Sequence, residues 1–273
     1  MKQNTSLKRL GRCCKPACLV SLGLLLAAPN ARAVTRTWTA GSGNWSTASN
    51  WSPSGAPQNN DNLVFNNSPG SNLTNDISSL IVGTILFDHS ATVWGPRFIV
   101  TSNITVSVPL VQNGTVTLNT VLTLGNSDVT FILGGSIHTH GDLIINNQVN
   151  GAAPYLRKQG PGKMSLMTDN AYTGVTLLQQ GTIYVRSDKA LSSAGVVISD
   201  GATLEVDGGY FPTLANNFEM VGAGVGGAQG ALWVVGGEVS LVVLTGSILL
   251  DAATTLNVDF ASELDLNGAI CGT

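Results

Sequence analysis

Gly181-Thr-Ile-Tyr-Val185 and Gly201-Ala-Thr-Leu-Glu-Val206 are two copies of one short sequence motif, in which a glycine and a small residue precede alternating aliphatic residues. Further copies are Gly114-Thr-Val-Thr-Leu118, Gly230-Ala-Leu-Trp-Val234 and Gly246-Ser-Ile-Leu-Leu250. Each copy is typical of a turn followed by a short strand with one buried face. Uninterrupted copies are about 20 residues apart, which is the length of one solenoid turn. The pattern predicts an all-β chain that folds as a right-handed parallel β-helix, or β-solenoid.

The composition agrees with an ordered β protein. Charged residues make up 11% of the chain and hydrophobic residues 43%, whereas disordered chains combine high charge with few aliphatic residues. No long stretch after residue 34 has a sustained apolar period of 3.6 residues, which argues against a helical fold. Alternation in the segment that follows Gly201 predicts that Leu204 and Val206 point inward, while Glu205 and Asp207 point outward.

Residues 1–33 have the pattern of a secretory signal peptide. A basic segment precedes the apolar residues 17–28, and Ala31-Arg32-Ala33 provides a small-x-small cleavage site. We therefore expect an exported mature chain that begins at Val34 and is extracellular or at the outer cell surface. The apolar run is shorter than the roughly 20 residues of a transmembrane helix, so we expect no integral membrane segment after signal removal. Cys271 is the only cysteine beyond the signal, which excludes an internal disulfide.

Removing the signal makes the chain acidic. Six of the 13 Lys and Arg residues lie in the first 33 positions, and all 16 acids lie beyond them. The remaining chain therefore has seven positive and 16 negative charges, which gives a formal net charge of −9. Binding to phosphates needs clustered Lys and Arg. We therefore expect no nucleic-acid partner.

Residues 34–62 differ from the rest and contain three of the five tryptophans, Trp38, Trp45 and Trp51. The end of a solenoid exposes a strand edge and an open core, which a tryptophan-rich cap would cover. The same three rings could instead stack on sugars, which makes them candidate ligand-binding residues. Residues 63–273 are predicted to form the solenoid, most repeat-like from 158 onward. The chain stops directly after a strand, so we expect an incomplete C-terminus that can self-associate edge to edge.

The segment from 160 to 185 resembles the autotransporter-associated β-strand repeat of bacteria, also called the passenger-associated transport repeat. The residues that fall on its pattern are Gly160, Gly162, Leu166, Asn170, Tyr172, Gly174 and Gly181, and Gly201 opens the next copy. Departures from the pattern are Lys163, Asp169 and Val175. The resemblance implies a secreted or cell-surface β-solenoid of bacteria. It implies no catalytic residues.

His138, His140 and Asp142 form a local cluster with the chemistry of metal ligands. Alternate residues of a strand share one face, so two imidazoles and a carboxylate could converge on zinc. Glycines at 134, 135 and 141 fit equally well with a turn edge that leaves the histidines in solvent. Both interpretations stay open at this stage, and we expect no cofactor.

A second candidate site is a ladder of outward acids, since equivalent positions of a parallel solenoid stack about 4.8 Å apart. Its members would be Glu205, Asp207, Asp259, Glu263 and Asp265. Paired carboxylates roughly 5–9 Å apart are used in glycoside hydrolysis, and a polysaccharide lyase also needs a base near its acids. The stretch from 190 to 273 contains no Lys or Arg. We therefore expect a solvated outer face without a catalytic site.

These observations predict a non-enzymatic, exported structural or adhesive surface module. Its expected partners are surface glycans, or the surfaces of host or neighbouring cells. One alternative is a carbohydrate-active β-helix of the polysaccharide lyase or glycoside hydrolase type. Another alternative is a carbohydrate-binding module centred on the tryptophans. A catalytic solenoid should gather acids and a Lys or Arg in one groove, whereas a scaffold should present a polar face without such a group.

Overall fold

The computed structural model describes residues 32–66, 71–109, 114–134, 139–237 and 239–272, with the backbone alone at 108–109 and 139–140. The predicted signal peptide up to residue 31 and the candidate ligand His138 lie outside the described residues. Short 3-10 helices occur at Ala48–Asn50, Gly208–Tyr210 and Val225–Gly227.

The strands in the described ranges are Thr35–Trp38 (β1), Gly43–Asn44 (β2), Trp51–Ser52 (β3), Asn62–Phe65 (β4), Ser71–Thr74 (β5), Ile81–Val82 (β6), Ile85–Phe87 (β7), Ala91–Trp94 (β8), Phe98–Val100 (β9), Asn103–Val106 (β10), Val108–Pro109 (β11), Thr115–Leu118 (β12), Leu122–Leu124 (β13), Val129–Leu133 (β14), Thr139–His140 (β15), Asp142–Ile145 (β16), Val149–Gly151 (β17), Tyr155–Gln159 (β18), Lys163–Leu166 (β19), Ala171–Tyr172 (β20), Val175–Leu178 (β21), Gly181–Val185 (β22), Val196–Ile198 (β23), Ala202–Asp207 (β24), Thr213–Leu214 (β25), Phe218–Gly222 (β26), Leu232–Val235 (β27), Ser240–Leu244 (β28), Ile248–Thr254 (β29), Leu256–Val258 (β30), Ser262–Leu266 (β31) and Ile270–Gly272 (β32).

Successive turns of the chain add strands to the same sheets. The first sheet has the order β3-β1-β4-β7-β10-β14-β18-β21-β23-β26-β29-β32, and the second has the order β2-β5-β8-β12-β16-β19-β22-β24-β27-β30. Further strands form a five-stranded sheet in the earlier turns (β6, β9, β13, β17, β20) and a three-stranded sheet in the later turns (β25, β28, β31). Among the described strands, β1–β3 and β11–β15 are the antiparallel pairs, and the other pairs are parallel. This is the architecture of a β-solenoid, and it confirms the predicted fold class.

Equivalent residues of successive turns stack in columns. One column of the second sheet crosses six strands in register: Leu118, Ile145, Leu166, Val185, Val206 and Val234. At most 1% of each of these side chains is exposed. Leu204 is also fully buried, so the predicted inward orientation of Leu204 and Val206 is confirmed. The residues between them point outward, because side chains alternate between the faces of a strand.

Glycines of the repeat lie at corners where successive turns approach each other closely. Gly160 and Gly181 have φ angles of +77° and +69°, which L side chains rarely adopt. A Cβ atom at Gly181 would lie 2.5 Å from the carbonyl oxygen of Gly160. A Cβ atom at Gly162 or Gly174 would lie 2.0 Å from a carbonyl oxygen of the preceding turn. Gly201 also has a positive φ, at +76°.

Asn170 and Tyr172 of the repeat support another corner. The Oδ1 atom of Asn170 accepts the N–H of Val149 at 2.7 Å, and its Nδ2 donates to the carbonyl of Ala190 at 2.6 Å. The amide therefore links the turns before and after its own. Tyr172 is buried in the core. The residues of the repeat thus act in the framework of the solenoid.

Aromatic rings close the N-terminal end. Trp38 of β1 pairs with Trp51 of the antiparallel β3, and their ring centroids are 4.9 Å apart. The ring of Trp45 lies 5.4 Å from that of Phe65 and 5.7 Å from that of Phe98. The three tryptophans are between 0% and 2% exposed. The predicted aromatic cap over the first turn is confirmed.

The last described turns are less closed than the turns before them. Leu256, Leu264 and Leu266 are only partly buried against the core. Phe260 is 97% exposed and Ile270 is 51% exposed. Apolar side chains at this end therefore remain in contact with solvent.

Candidate functional site

The outward face of the second sheet carries charged and aromatic side chains between β19 and the residue that follows β30. We call this set the outer ladder; it consists of Lys163, Tyr184, Glu205, Asp207, Trp233 and Asp259. Strand alternation places these side chains there. Tyr184 lies between the buried Ile183 and Val185, and the other strands follow the same pattern.

Lys163 and Glu205 form an ion pair that spans two turns. The Nζ atom of Lys163 lies 2.8 Å from Oε1 and 2.9 Å from Oε2 of Glu205. It also lies 4.6 Å from the ring centroid of Tyr184, on the strand between them. The side chain of Glu205 is only 13% exposed, so solvent screens this pair less than an ordinary surface pair.

This pairing corrects two expectations from the sequence. The acids beyond residue 190 were expected to lack a basic partner, and that is wrong for Glu205, because Lys163 reaches it from 42 residues earlier. The outward face is also more than solvated charge, since Glu205 is held by two hydrogen bonds and lies close to an aromatic ring.

Tyr184 supplies a neutral hydrogen-bond donor to the ladder. Its hydroxyl donates to Oδ2 of Asp207 at 2.5 Å. Partial burial raises the pKa of the Tyr184 phenol, and the hydrogen bond to Asp207 and the charge of that carboxylate raise the pKa further. Tyr184 therefore keeps its proton at physiological pH and does not supply a base.

Two aromatic rings flank the carboxylate of Glu205. Tyr184, Glu205, Trp233 and Asn257 follow one another in register across four strands, and neighbouring strands are about 4.8 Å apart. The Nε1 atom of Trp233 donates to Oδ1 of Asp259 at 2.8 Å. Tyr and Trp combine an apolar body with a polar edge, and they are enriched at binding interfaces for that reason.

More aromatic surface follows Asp207 directly along the chain. The guanidinium of Arg186 lies 4.8 Å from the ring centroid of Tyr210 and donates to its hydroxyl at 3.1 Å. Tyr210 and Phe211 are each more than half exposed. The outer ladder therefore borders a second set of exposed rings.

The five candidate acids do not form one ladder. Glu263 and Asp265 belong to β31, where they pair with Leu241 and Val243 in the three-stranded sheet. They do not share a sheet with Glu205. On the second sheet, the strand neighbours of Glu205 are aromatic rather than acidic.

Another acidic pair, which the sequence did not indicate, lies on the first sheet. Desolvation, a hydrogen bond that the protonated Glu219 carboxyl donates to the Asp251 side chain, and the charge of Asp251 together raise the pKa of Glu219. Carboxyl groups in hydrogen-bond contact are closer than the roughly 5 Å or more that separates the two carboxyl groups of a glycosidase. This pair does not have the geometry of a glycosidase site.

The candidate metal ligands are only partly described. His138 lies outside the described residues, and the backbone of His140 pairs with Val108 in the short ladder β11–β15. Asp142 begins β16, and its Oδ1 accepts the N–H of Lys163 at 2.8 Å. Within the described part of the chain, no group of three or more His, Cys, Asp or Glu residues is placed to hold a metal ion.

The candidate sugar platform does not fit the position of its tryptophans. Trp38, Trp45 and Trp51 are core residues of the cap, and Trp51 donates from Nε1 to the carbonyl of Trp45 at 2.8 Å. A buried ring offers no face to a sugar. Trp94 and Trp233, which are not among the candidate binding residues, are the tryptophans that reach the surface.

Lys158 is fully buried and faces the core, although Lys is rarely buried without a partner. Its Nζ atom donates at 2.7 to 3.2 Å to three backbone carbonyls, those of Gly160, Gln180 and Gln159. Burial lowers the pKa of Lys158 to about 7, and the charge of Asp142 opposes that shift. Three acceptors match the three donors of an ammonium group, so Lys158 ties together the corner that Gly160 forms.

Comparison of the chain with models of known protein families, with curated proteins and with solved structures finds no match to any of them. Within the described residues, no helix is both long and apolar enough to cross a membrane.

Proposed function

We propose that this protein is an exported structural or adhesive module of the bacterial cell surface. The observation that carries the proposal is the continuous first sheet, in which eleven strands from successive turns stack in parallel from β1 to β32. Such a solenoid extends by adding turns and presents long, regular faces. The signal-like residues 1–33 and the resemblance of residues 160–185 to the autotransporter-associated repeat support export and an extracellular or outer-surface location.

The outer ladder is the adhesive face in this proposal. Its ion pair and hydrogen bonds hold the aromatic residues Tyr184 and Trp233 in fixed positions, which lowers the entropic cost of ordering side chains on binding. The partners are glycans of cell surfaces, which offer hydroxyl groups to Asp207 and Asp259 and apolar ring faces to the aromatic side chains.

Binding of the purified mature chain to a glycan array and to whole cells tests this function. Trp233→Ala should weaken binding about tenfold or more, because buried aromatic anchors dominate interfaces. Trp94→Ala is the matched control, since Trp94 is 48% exposed at the end of β8 in the same sheet. Equal loss in both variants, or no binding by the unaltered chain to any glycan or cell, would contradict an adhesive role for this face.

A carbohydrate-active solenoid is the second candidate, and the contact of Lys163 with Glu205 favours it. A lyase needs a base close to its acids, and this pair places a lysine there. Both oxygens of Glu205 accept hydrogen bonds from the Nζ atom of Lys163, however, so this amine is engaged by its own partner and is not directed at a substrate. Incubation with acidic and neutral polysaccharides should yield neither unsaturated products nor new reducing ends. Product formation that Lys163→Met abolishes would establish the enzyme instead.

A further inference from the structure

Asp61 holds a buried carboxylate at the start of the solenoid. It lies in the loop before β4 and is 2% exposed. Its Oδ1 accepts the backbone N–H of Val34 at 2.9 Å. Its Oδ2 accepts from Nε of Arg36 at 2.5 Å and from the backbone N–H of Gln58 at 3.0 Å. The carboxylate thus binds three donors from two segments of the cap.

Val34 is held in place at this carboxylate. The N–H of Asn62 donates to the carbonyl of Val34 at 2.9 Å, and β1 then pairs in parallel with β4 from Thr35 onward. Arg36 is fixed as well, because its Nη1 donates to the carbonyls of Pro53 and Gly55. The first strand pairing therefore holds the backbone of Val34 beside Asp61.

The same nitrogen is the atom that signal cleavage would change. Cleavage after Ala31-Arg32-Ala33 converts the amide N–H of Val34 into an α-ammonium group. Arg32 and Ala33 are exposed and Val34 is half-buried, so their removal takes no side chain out of the core. A charged donor to a carboxylate makes a bond roughly twice as strong as a neutral donor.

We propose that Asp61 is the binding site for the α-ammonium of Val34, so that processing of the exported chain completes the cap. This inference rests on the proposed export and its cleavage site. The charged groups that face the new terminus in the structure are Asp61 from the loop before β4 and Arg36 from β1. Asp61 lies between the two positive groups and binds both.

Three versions of the mature chain test the site: one beginning at Val34, one beginning at Ala33, and one beginning at Nα-acetylated Val34. Urea unfolding should show the free Val34 terminus to have an unfolding equilibrium constant about fivefold lower than either control at pH 6. The advantage should be present below the ordinary α-amino pKa of about 7.7–8.0 and disappear at higher pH, as the bound ammonium loses its proton. In Asp61→Asn, the three versions should unfold alike.

Equal unfolding midpoints for the three versions at pH 6 would overturn the site, as would a difference that persists in Asp61→Asn. If Asp61→Asn does not fold, NMR titration of the Val34 amine decides. A pKa clearly above the ordinary range supports the site, and an ordinary pKa refutes it. Because the termini are made in vitro, the result does not depend on adhesion. N-terminal sequencing of exported protein tests the cleavage separately, and a start other than Val-Thr-Arg-Thr would refute the processing step.

Discussion

The two ends of the described solenoid contrast with each other. At the N-terminal end, Trp38, Trp45 and Trp51 lie packed over the first turn and are almost completely buried. In the last described turns, Phe260 and Ile270 are mostly exposed, and Leu256 is only partly buried. Both regions have the same parallel pairing and the same alternation of apolar residues.

The contrast shows that pairing alone does not bury a solenoid core. A turn in the middle has a neighbour on each side, as Leu204 does between Ile183 and Leu232. A terminal turn has one neighbour, so an added layer must supply the missing interface. Trp45 and its aromatic neighbours supply that layer at the start. An exposed apolar edge is the feature that promotes pairing with another chain.

One column of stacked residues allows the middle and the last turns to be compared by a single type of substitution. Leu204, Leu232 and Leu256 lie in register, but Leu204 is fully buried and Leu256 is not. Leu204→Asp should lower the free energy of unfolding by about 5 kcal/mol or more, because it buries an unpaired charge. Leu256→Asp should cost about 1–2 kcal/mol, because water reaches its position. Urea denaturation measures both, and similar losses would remove the distinction between the middle and the last turns.

A second substitution tests the cap itself. Trp45→Ala should lower the free energy of unfolding by about 3–4 kcal/mol, since it leaves a cavity among rings that do not collapse easily. Phe260→Ala, at a side chain that is 97% exposed, should change it by less than about 0.5 kcal/mol. Thermal and urea melts of the two variants give the comparison. If Trp45→Ala lowers the free energy of unfolding only slightly, the aromatic layer does not stabilise the first turn.

The pH dependence of stability that Lys158 produces measures how completely water is excluded from its position in the core. Its pKa is about 7 when folded and 10.5 as an ordinary lysine, so the unfolded chain binds more protons between those two pH values. The free energy of unfolding should therefore rise as the pH increases from about 7 towards 10.5. Lys158→Met should remove this part of the pH dependence. Urea midpoints of both proteins at pH 6 and pH 9 check it, and identical pH dependence would show that the amine is not desolvated.

Structural features that depend on neighbours within one turn could be predicted from the local sequence. The motifs that begin at Gly181 and Gly201 predicted strands β22 and β24, and the spacing of the motifs predicted the stacking of turns. The pairing of Lys163 with Glu205 could not be predicted from separations along the chain, because it depends on the sum of two turn lengths and on Tyr184 between them. Turn length varies from one turn to the next, which is why Glu263 and Asp265 do not stack on Glu205 as the candidate ladder required.

Other errors have a different cause. The tryptophan-rich segment was consistent with both a cap and a sugar platform, because a sequence does not show which face of a ring is covered. Lys158 gave no signal of burial either. Its position in the core is possible only because three carbonyls of a glycine corner converge on its amine, and this arrangement exists only once neighbouring turns have stacked.

Hydrogen exchange of the mature chain in solution tests most directly the claim that stacked turns are protected where they have neighbours and exposed where they do not. Amides of residues 181–206 have neighbouring turns on both sides and should exchange only on global unfolding. Amides of residues 246–272 should exchange much faster in a monomeric sample, and protection there should increase with concentration if the edge self-associates. Uniform protection through Leu266 in a monomer would contradict the account, and so would rapid exchange at 181–206.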